Sequence, residues 1–186
     1  MYKPFHILTD RLPDTVTVFG TEYPIHTSFR NWVKIAMLAE NKKLRDSEKM
    51  AEMLKLCYKE ELPPSLPSAI LAAELFMKGD AEQSASSPEG TPMFSFVQDA
   101  DVIYAAFLGK YGIDLTKEDL HWYVFRALLS ALSEENPFRT ILKIRSTDEK
   151  DVKDKKARAV LRSLKKRFSL NRGSEVDVAG SLADLF

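Results

Sequence analysis

The stretch YGIDLTKEDLHWYVFRALLSALSEENPFRTILKIR, residues 111–145, holds the longest continuous helical pattern in this sequence. Thr116 precedes the periodic residues and Asp119 follows three positions later, an arrangement close to a capping box. Apolar side chains then cover well over half the circumference of a helix predicted over residues 117–133. Because a helix with so wide an apolar arc lies inside a core, we expect the rest of the chain to pack around it.

Further helices flank this central segment. Gly112 stands where a preceding helix needs a left-handed cap, so one helix is expected to end just before it. Pro137 is typical of the first turn of a helix and opens another one. Three aromatic residues of the central segment should each bury on the order of 150–250 Å². They are Trp122, Tyr123 and Phe125.

His121 projects into the apolar arc of the predicted central helix, where two interpretations compete. A catalytic base or metal ligand would need partners, but no second histidine, cysteine or carboxylate stands at ligand spacing. A core imidazole would instead be neutral and held by a hydrogen bond, as a buried polar group requires. We therefore predict a structural role for His121.

Composition places the chain among ordinary globular proteins. It has 186 residues, of which 45% are hydrophobic and 29% charged, and its 27 basic and 27 acidic residues leave no formal net charge. The balance removes the global electrostatic argument for binding nucleic acid or membrane. A single cysteine fits a reducing compartment, and no apolar run is long enough for a membrane span or a signal peptide. We expect a cytosolic protein.

Residues 15–26, TVTVFGTEYPIH, are typical of a β-hairpin. Gly20 and Thr21 are the expected central residues of a type II′ turn, which places Val18 opposite Tyr23. Two strands alone are marginal in water, so this hairpin must pack on helices or pair with another copy. Val18 and Tyr23 are therefore candidate residues for self-association.

Three amphipathic helices are predicted after the hairpin, beginning near Ser28, Ser47 and Leu66. Methionines in these helices could form an adaptable groove for a partner, although each could equally fill a gap in the core. These candidate partner-binding residues are Met37, Met50, Met53 and Met77. Residues 79–92, GDAEQSASSPEGTP, offer little apolar surface to offset the entropy of ordering and are expected to form a flexible loop.

The carboxyl-terminal part is charged. A helix expected over residues 147–170 has acidic residues first and basic residues afterwards, an order that complements the helix dipole. Its basic residues form either a nucleic-acid or acidic-partner surface or, as we favour, a solvated face, because no aromatic side chains alternate with them for base stacking. They are Lys155, Lys156, Arg158, Arg162, Lys165, Lys166 and Arg167.

The sequence thus predicts a mainly α-helical protein with a small amino-terminal β-hairpin and about six to seven helices. Residues 1–146 form one domain, residues 147–170 a charged helix and residues 171–186 a disordered tail. No phosphate-binding glycine loop and no HExxH, CxxC or GxSxG motif occurs. Cys57 lies on an apolar helical seam, where a packed thiol is expected. We predict no enzyme, no cofactor and no metal.

Four stretches together resemble the bacteriophage tail-gene family named for "gene product fifteen". They are RLPDTVTVFGTEYPIHTSFRNWVKI (residues 11–35), DADVIYAAFLGKYGIDL (99–115), DLHWYVFRALLSAL (119–132) and FRTILKIRS (138–146). The family's genes typically lie between those for the tail tube and the tape measure in long-tailed phages and prophages. That position is typical of tail assembly chaperones, which keep the tape measure soluble until the tube polymerises around it.

The resemblance therefore implies a non-enzymatic chaperone in the cytoplasm of the bacterial host. Its expected partners are the tape measure protein, a second copy of itself and, as a further candidate, the tail tube protein. Two alternatives stay open: a minor structural protein kept in the virion, or a nucleic-acid-binding regulator that uses the basic helix. Membrane binding is not expected.

Overall fold

The computed structural model describes residues 5–79 and 93–170. Within these ranges a hairpin of β1 (Thr15–Val18) and β2 (Thr21–Pro24) precedes seven α-helices, which confirms the predicted mainly α-helical fold. The helices are α1 (Phe29–Glu40), α2 (Asp46–Cys57), α3 (Leu66–Lys78), α4 (Ala100–Tyr111), α5 (Trp122–Ser130), α6 (Pro137–Ser146) and α7 (Lys155–Arg167). None of these helices is long and apolar enough to cross a lipid bilayer.

The expected helix signals are confirmed at several ends. Ser28 caps α1 through its side chain, Pro137 opens α6, and Gly112 ends α4 with a left-handed φ of 70°. The predicted charged helix is shorter, because a one-turn 3-10 helix, Glu149–Asp151, takes up part of it before α7. Residues 80–92 of the predicted loop and the predicted tail, 171–186, lie outside the described residues.

The central helix begins later than predicted, since α5 starts at Trp122 and not at residue 117. Asp114 holds the preceding residues in a turn, because its side chain accepts bonds from the backbone and hydroxyl of Thr116 at 3.0 and 2.6 Å. Asp119 does not cap the helix as predicted but accepts from Arg30 of α1 at 3.0 Å. These side-chain bonds offer the backbone an alternative to a helix.

A short stretch of backbone pairing joins the starts of α1 and α5. The backbone N–H of Phe29 donates to the carbonyl of Leu120 at 2.8 Å, and that of Trp122 donates to the carbonyl of Thr27 at 2.7 Å. Residues that are 91 and 95 positions apart in the sequence therefore lie side by side where the two helices begin. This pairing also satisfies amide groups that a helix start leaves without intrahelical partners.

The hairpin register differs from the prediction. Phe19 and Gly20, with φ of 50° and 83°, are the central residues of a type I′ turn, so Val18 lies opposite Thr21 and not opposite Tyr23. Contacts beyond the turn support this register. The backbone N–H of Ile25 donates to the carbonyl of Asp14 at 3.0 Å. The backbone N–H of His26 donates to the carbonyl of Cys57, the last residue of α2, at 2.7 Å.

Phe125 lies at the centre of the core and is only 1% exposed. Its ring stacks with Phe29 of α1 and with Phe107 of α4, with centroid separations of 4.8 and 4.9 Å. Trp32 of α1 contacts Trp122 in the same cluster, at 6.2 Å. The aromatic side chains of α5 therefore join the amino-terminal helices to α4, as the wide apolar arc predicted.

Side chains of α5 also hold the carboxyl end of α3. The Tyr123 hydroxyl donates to the carbonyl of Phe76 at 2.8 Å, and the Trp122 indole donates to that of Met77 at 3.0 Å. Arg126 donates to the carbonyl of Met77 and to the one after it, at 3.0 and 2.6 Å. The last carbonyls of a helix have no intrahelical partner, so α5 supplies the partners that end α3.

Arg145 of α6 forms a buried ion pair with Asp99 at the start of α4. Two guanidinium nitrogens donate to the two carboxylate oxygens at 2.7 and 2.8 Å, and both side chains are nearly buried. The same guanidinium donates to the carbonyl of Met93 at 3.2 Å and to that of Phe168, just after α7, at 2.7 Å. Arg145 thus ties the charged carboxyl-terminal helix to the core domain.

Replacing Phe125 with alanine should lower the free energy of unfolding by about 3–5 kcal/mol, because a stacked ring leaves a cavity between two helices. Urea denaturation measures the loss. Leu108→Ala on α4 is the control, since Leu108 is 44% exposed and its change should cost under about 1 kcal/mol. A Phe125→Ala loss as small as that of the control would contradict the central place of α5.

Replacing Arg145 with methionine should cost about 3–5 kcal/mol, because it leaves the Asp99 carboxylate buried without its counter-ion. Arg162→Met is the matched control: it breaks a single pair with Glu149 in which the arginine side chain is 69% exposed, and it should cost at most about 1 kcal/mol. Equal losses in the two variants would show that the Asp99 pair is not a structural hub.

Candidate partner-binding surface

An open groove lies between the hairpin and α3, and we call it the hairpin groove. Its volume is about 570 Å³, and its walls come from the segment before β1, from β1 itself and from one face of α3. Val16 and Val18 are among the lining residues and are buried at 7% and 4% exposure. A volume of this size lies in the range of binding pockets.

Residues spaced four apart on α3 shape the helical side of the groove. Ser68 and Ala72 are small and leave space, while Leu71 and Leu75 stand on the same wall and remain exposed at 56% and 37%. Phe19 at the hairpin tip adds a ring that is 77% exposed. Exposed apolar side chains grouped around one concavity are typical of an interaction site.

The rim of the groove is acidic. Asp10, Asp14 and Glu22 line it, against a single basic residue, Arg11. Arg11 donates to Asp14 at 2.9 Å, so these two charges compensate each other. The lining residues therefore carry two net formal negative charges, and Asp10 accepts hydrogen bonds from the backbone N–H of His6 at 2.9 Å and from the hydroxyl of Thr9 at 3.0 Å.

The two residues predicted for self-association are largely buried within the protein. Val18 is buried beneath α3, and Tyr23 is half-buried and packed against the core. The hairpin, which would be only marginally stable alone, packs on α3. Packing on helices is one of the two arrangements predicted for it. Val18 therefore offers little surface to a second copy in this conformation, and the exposed apolar residue of the hairpin is Phe19.

The four candidate methionines divide into two pairs. Met37 and Met50 are exposed on α1 and α2, which pack against each other. Met53 and Met77 are partly buried and pack against the core cluster, where they act as gap-filling residues. The structure therefore keeps two of the four on the surface, and neither of these two lines the hairpin groove.

A family model described as "Bacteriophage Gp15 protein" matches residues 8–170, which include the hairpin, the groove and α7. The chain belongs to the bacteriophage Gp15 family. The resemblance inferred from four separate stretches is thereby confirmed over most of the chain. Neither the curated proteins nor the solved structures yielded a match.

In this Gp15-family protein, two of the seven candidate basic residues near the carboxyl end bind other groups of the same chain. Arg158 donates to the carbonyl of Val152 at 2.8 and 3.0 Å, and Arg162 donates to Glu149 at 2.8 and 3.0 Å. Five of the seven are exposed, and Arg158 and Lys165 are half-buried. The exposed ones are Lys155, Lys156, Arg162, Lys166 and Arg167. The solvated face that we favour for this helix therefore stays a prediction.

His121 is the amino-terminal cap of α5 and does not lie within the helix. Its Nδ1 accepts from the backbone N–H of Tyr123 at 3.2 Å, so its proton resides on Nε2, which donates to the carbonyl of Pro13 at 3.0 Å. Burial lowers the pKa of His121, although the bond to Pro13 acts in the opposite direction. The imidazole is therefore a neutral link between α5 and the segment that lines the groove.

Cys57 is buried at the end of α2, and burial raises the pKa of its thiol to about 12. Such a thiol carries no thiolate at neutral pH and is a packed core residue. Within residues 5–79 and 93–170, no group of three or more histidine, cysteine or acidic side chains is arranged to hold a metal ion.

The sequence analysis did not identify Phe19, Leu71 and Leu75 as candidate partner-binding residues. One signal was present, since two leucines four apart on α3 form an apolar row on the side of the helix away from the stripe that α3 buries. That the row stays exposed depends on where the hairpin packs, which α3 alone does not specify.

His121 should make stability depend on pH. Because its folded pKa is lowered, its contribution is fully present above about pH 6.5 and is lost as the pH falls below that value, where the unfolded chain gains a proton first. Asparagine also caps helices, so His121→Asn should fold and show a flatter decline of unfolding free energy between about pH 7 and 5. Urea titrations at several pH values measure both slopes, and His6 and His26 are common to both proteins.

His121→Asn should also keep the full function of the protein in the phage, because we predict a structural role for this imidazole. A folded variant without that function would assign His121 a chemical role in place of a structural one.

Proposed function

We propose that this protein is a tail assembly chaperone that binds the tape measure protein before the tail tube polymerises. The tail tube protein is a second candidate partner, and the step takes place in the cytoplasm of the bacterial host. Membership of the bacteriophage Gp15 family supports a role in phages. The gene position implied by that family supports the finer assignment to tail assembly.

The observation that carries the proposal is the hairpin groove with its exposed leucines. A chaperone for a long helical protein needs accessible apolar surface, and helical proteins commonly bind amphipathic helices in such grooves. Leu71, Leu75 and Phe19 supply that surface next to a rigid core. Met37 and Met50 add adaptable apolar side chains on the neighbouring helix pair.

We propose that this activity needs no catalysis. Two side chains with the chemistry of a nucleophile and a base, Cys57 and His121, both serve the fold: one is a buried thiol and the other caps α5 and holds Pro13. Self-association also belongs to the proposal, through surfaces other than the buried Val18. Sedimentation velocity of the purified protein tests it.

Co-expression with the tape measure protein from the same phage should raise the soluble fraction of the tape measure several-fold, and the two proteins should co-purify. An unrelated helical protein of similar size, expressed in the same way, is the control. An equally soluble tape measure with and without this chain, and no capture, would contradict the proposal.

Mass spectrometry of purified virions separates the chaperone from the structural alternative. A chaperone should be absent from finished particles, whereas a minor tail protein should be present at a fixed ratio to the tube subunit.

A further inference from the structure

We infer that two copies of this protein bind each other through their hairpin grooves, with the Phe19 ring of each copy placed against the α3 wall of the other. The inference rests on the proposed function for the expectation that the protein self-associates, whereas the surface and its residues follow from the structure. A second copy in this position also covers the leucines proposed to receive the tape measure, and so protects them until that partner replaces it.

Phe19 carries two costs that the fold does not offset. Its φ of 50° is an outlier for a bulky side chain, and the first central position of a type I′ turn favours asparagine. Its ring is 77% exposed and does not belong to the core cluster of the described residues. A strained residue whose side chain the fold does not use points to a function outside the fold, and exposed aromatic rings are typical anchors of protein interfaces.

The groove supplies the complementary shape on the same side of the molecule. Phe19 stands on its rim, while the small residues Ser68 and Ala72 leave a recess in its helical wall. The volume of about 570 Å³ is ample for an aromatic ring, since a cavity of about 150 Å³ already accommodates benzene. A two-fold interface uses the same surface on both copies, so a surface that carries both a protrusion and a recess can pair with itself.

The apolar area available is that of a small, reversible dimer. An aromatic side chain buries about 150–250 Å², so the exposed part of Phe19 offers roughly 120–190 Å² on each copy. With the exposed parts of Leu71 and Leu75, the two copies together offer roughly 500–600 Å² of apolar surface. Homodimer interfaces are about 65% apolar, which gives a contact of roughly 800–900 Å². Interfaces of that size are weak and transient, so we expect a dissociation constant in the micromolar range.

The rim of the groove has the same net charge sign in both copies, which opposes their approach. Repulsion between exposed charges is screened over about 8 Å at physiological ionic strength. The apolar contact should therefore prevail under those conditions, and the dimer should tighten as the salt concentration is raised.

Sedimentation velocity of the full-length protein between about 1 and 200 μM tests the inference, and wild type should show a reversible equilibrium of monomer and dimer. Phe19→Asn removes the ring and introduces the residue that a type I′ turn favours, so the variant should be at least as stable as wild type. It should nevertheless weaken dimerisation by at least about tenfold. Leu71→Ser should weaken it to a similar degree.

Leu66→Ser is the matched control. Leu66 and Leu71 both lie on α3 and are each 56% exposed, but only Leu71 lines the groove. The control should change the dissociation constant by less than about twofold.

A mixture of Phe19→Asn and Leu71→Ser tests whether the contact is reciprocal. A mixed dimer keeps one complete contact, because the ring of the Leu71→Ser copy meets the intact wall of the Phe19→Asn copy. Both substitutions fall on the second contact, where losses at residues that touch are not additive. The two variants should therefore bind each other about threefold more tightly than either binds itself.

Three results would each overturn the inference: a wild-type protein that stays monomeric over this range, a dimer that Phe19→Asn weakens no more than Leu66→Ser does, or a mixture that associates no better than its components. A dimer that weakens as salt is raised would show pairing of opposite charges and would overturn it as well. Circular dichroism confirms that each variant is folded, and if Leu71→Ser is not, the comparison of Phe19→Asn with the control decides.

Co-expression with the tape measure separates this inference from the proposed function. Capture of the tape measure by a wild-type protein that remains monomeric would remove the dimer and keep the chaperone. A dimer that depends on Phe19, together with no capture of the tape measure, would keep this inference and remove the chaperone.

Discussion

The structure depends on the contacts that α5 makes with three other helices. Phe125 stacks with rings of α1 and α4, while Trp122, Tyr123 and Arg126 bind the carbonyls that end α3. Aromatic rings contribute large buried areas, and buried carbonyl groups must find donors. One nine-residue helix therefore provides both the centre of the core and the polar partners that stop a neighbouring helix. The end of α3 is thus held by α5 together with its own cap, in which the backbone N–H of Gly79 donates to the carbonyl of Leu75.

Arginine side chains likewise donate hydrogen bonds to carbonyl groups in the loops and at helix ends. Arg30 donates to the carbonyls of Leu115 and Glu118, both at 2.7 Å, and so holds the turn before α5. Arg126 holds the end of α3, and Arg145 holds Met93 and the end of α7. A guanidinium has five donors in a rigid plane, so one side chain can satisfy several carbonyls that are distant in sequence. Gly79 accommodates this arrangement, because a Cβ there would lie 2.9 Å from Arg126.

The hairpin groove follows from this frame. Side chains of α5 hold the carboxyl end of α3, and α3 packs on α2 and on the hairpin. His121 holds the segment before β1 through Pro13. The exposed leucines therefore stand on rigid elements, which lowers the entropic cost of binding. The proposed partner binding needs a stable frame and an exposed apolar wall, and the Gp15-family chain has both in the part that the structure describes.

Local sequence signals determined most of the helices, because caps and periodicity act within a few residues. Ser28, Pro137 and Gly112 predicted the ends of helices, and the aromatic residues of α5 predicted the position of the core. Tertiary structure alone decided the start of α5, where Arg30 and Asp114 hold a turn, and the hairpin register, which Ile25 secures through Asp14. It also decided the groove, because whether Leu71 is buried or exposed depends on how a distant hairpin packs. Such pairings join residues far apart in the chain, and no local pattern encodes them.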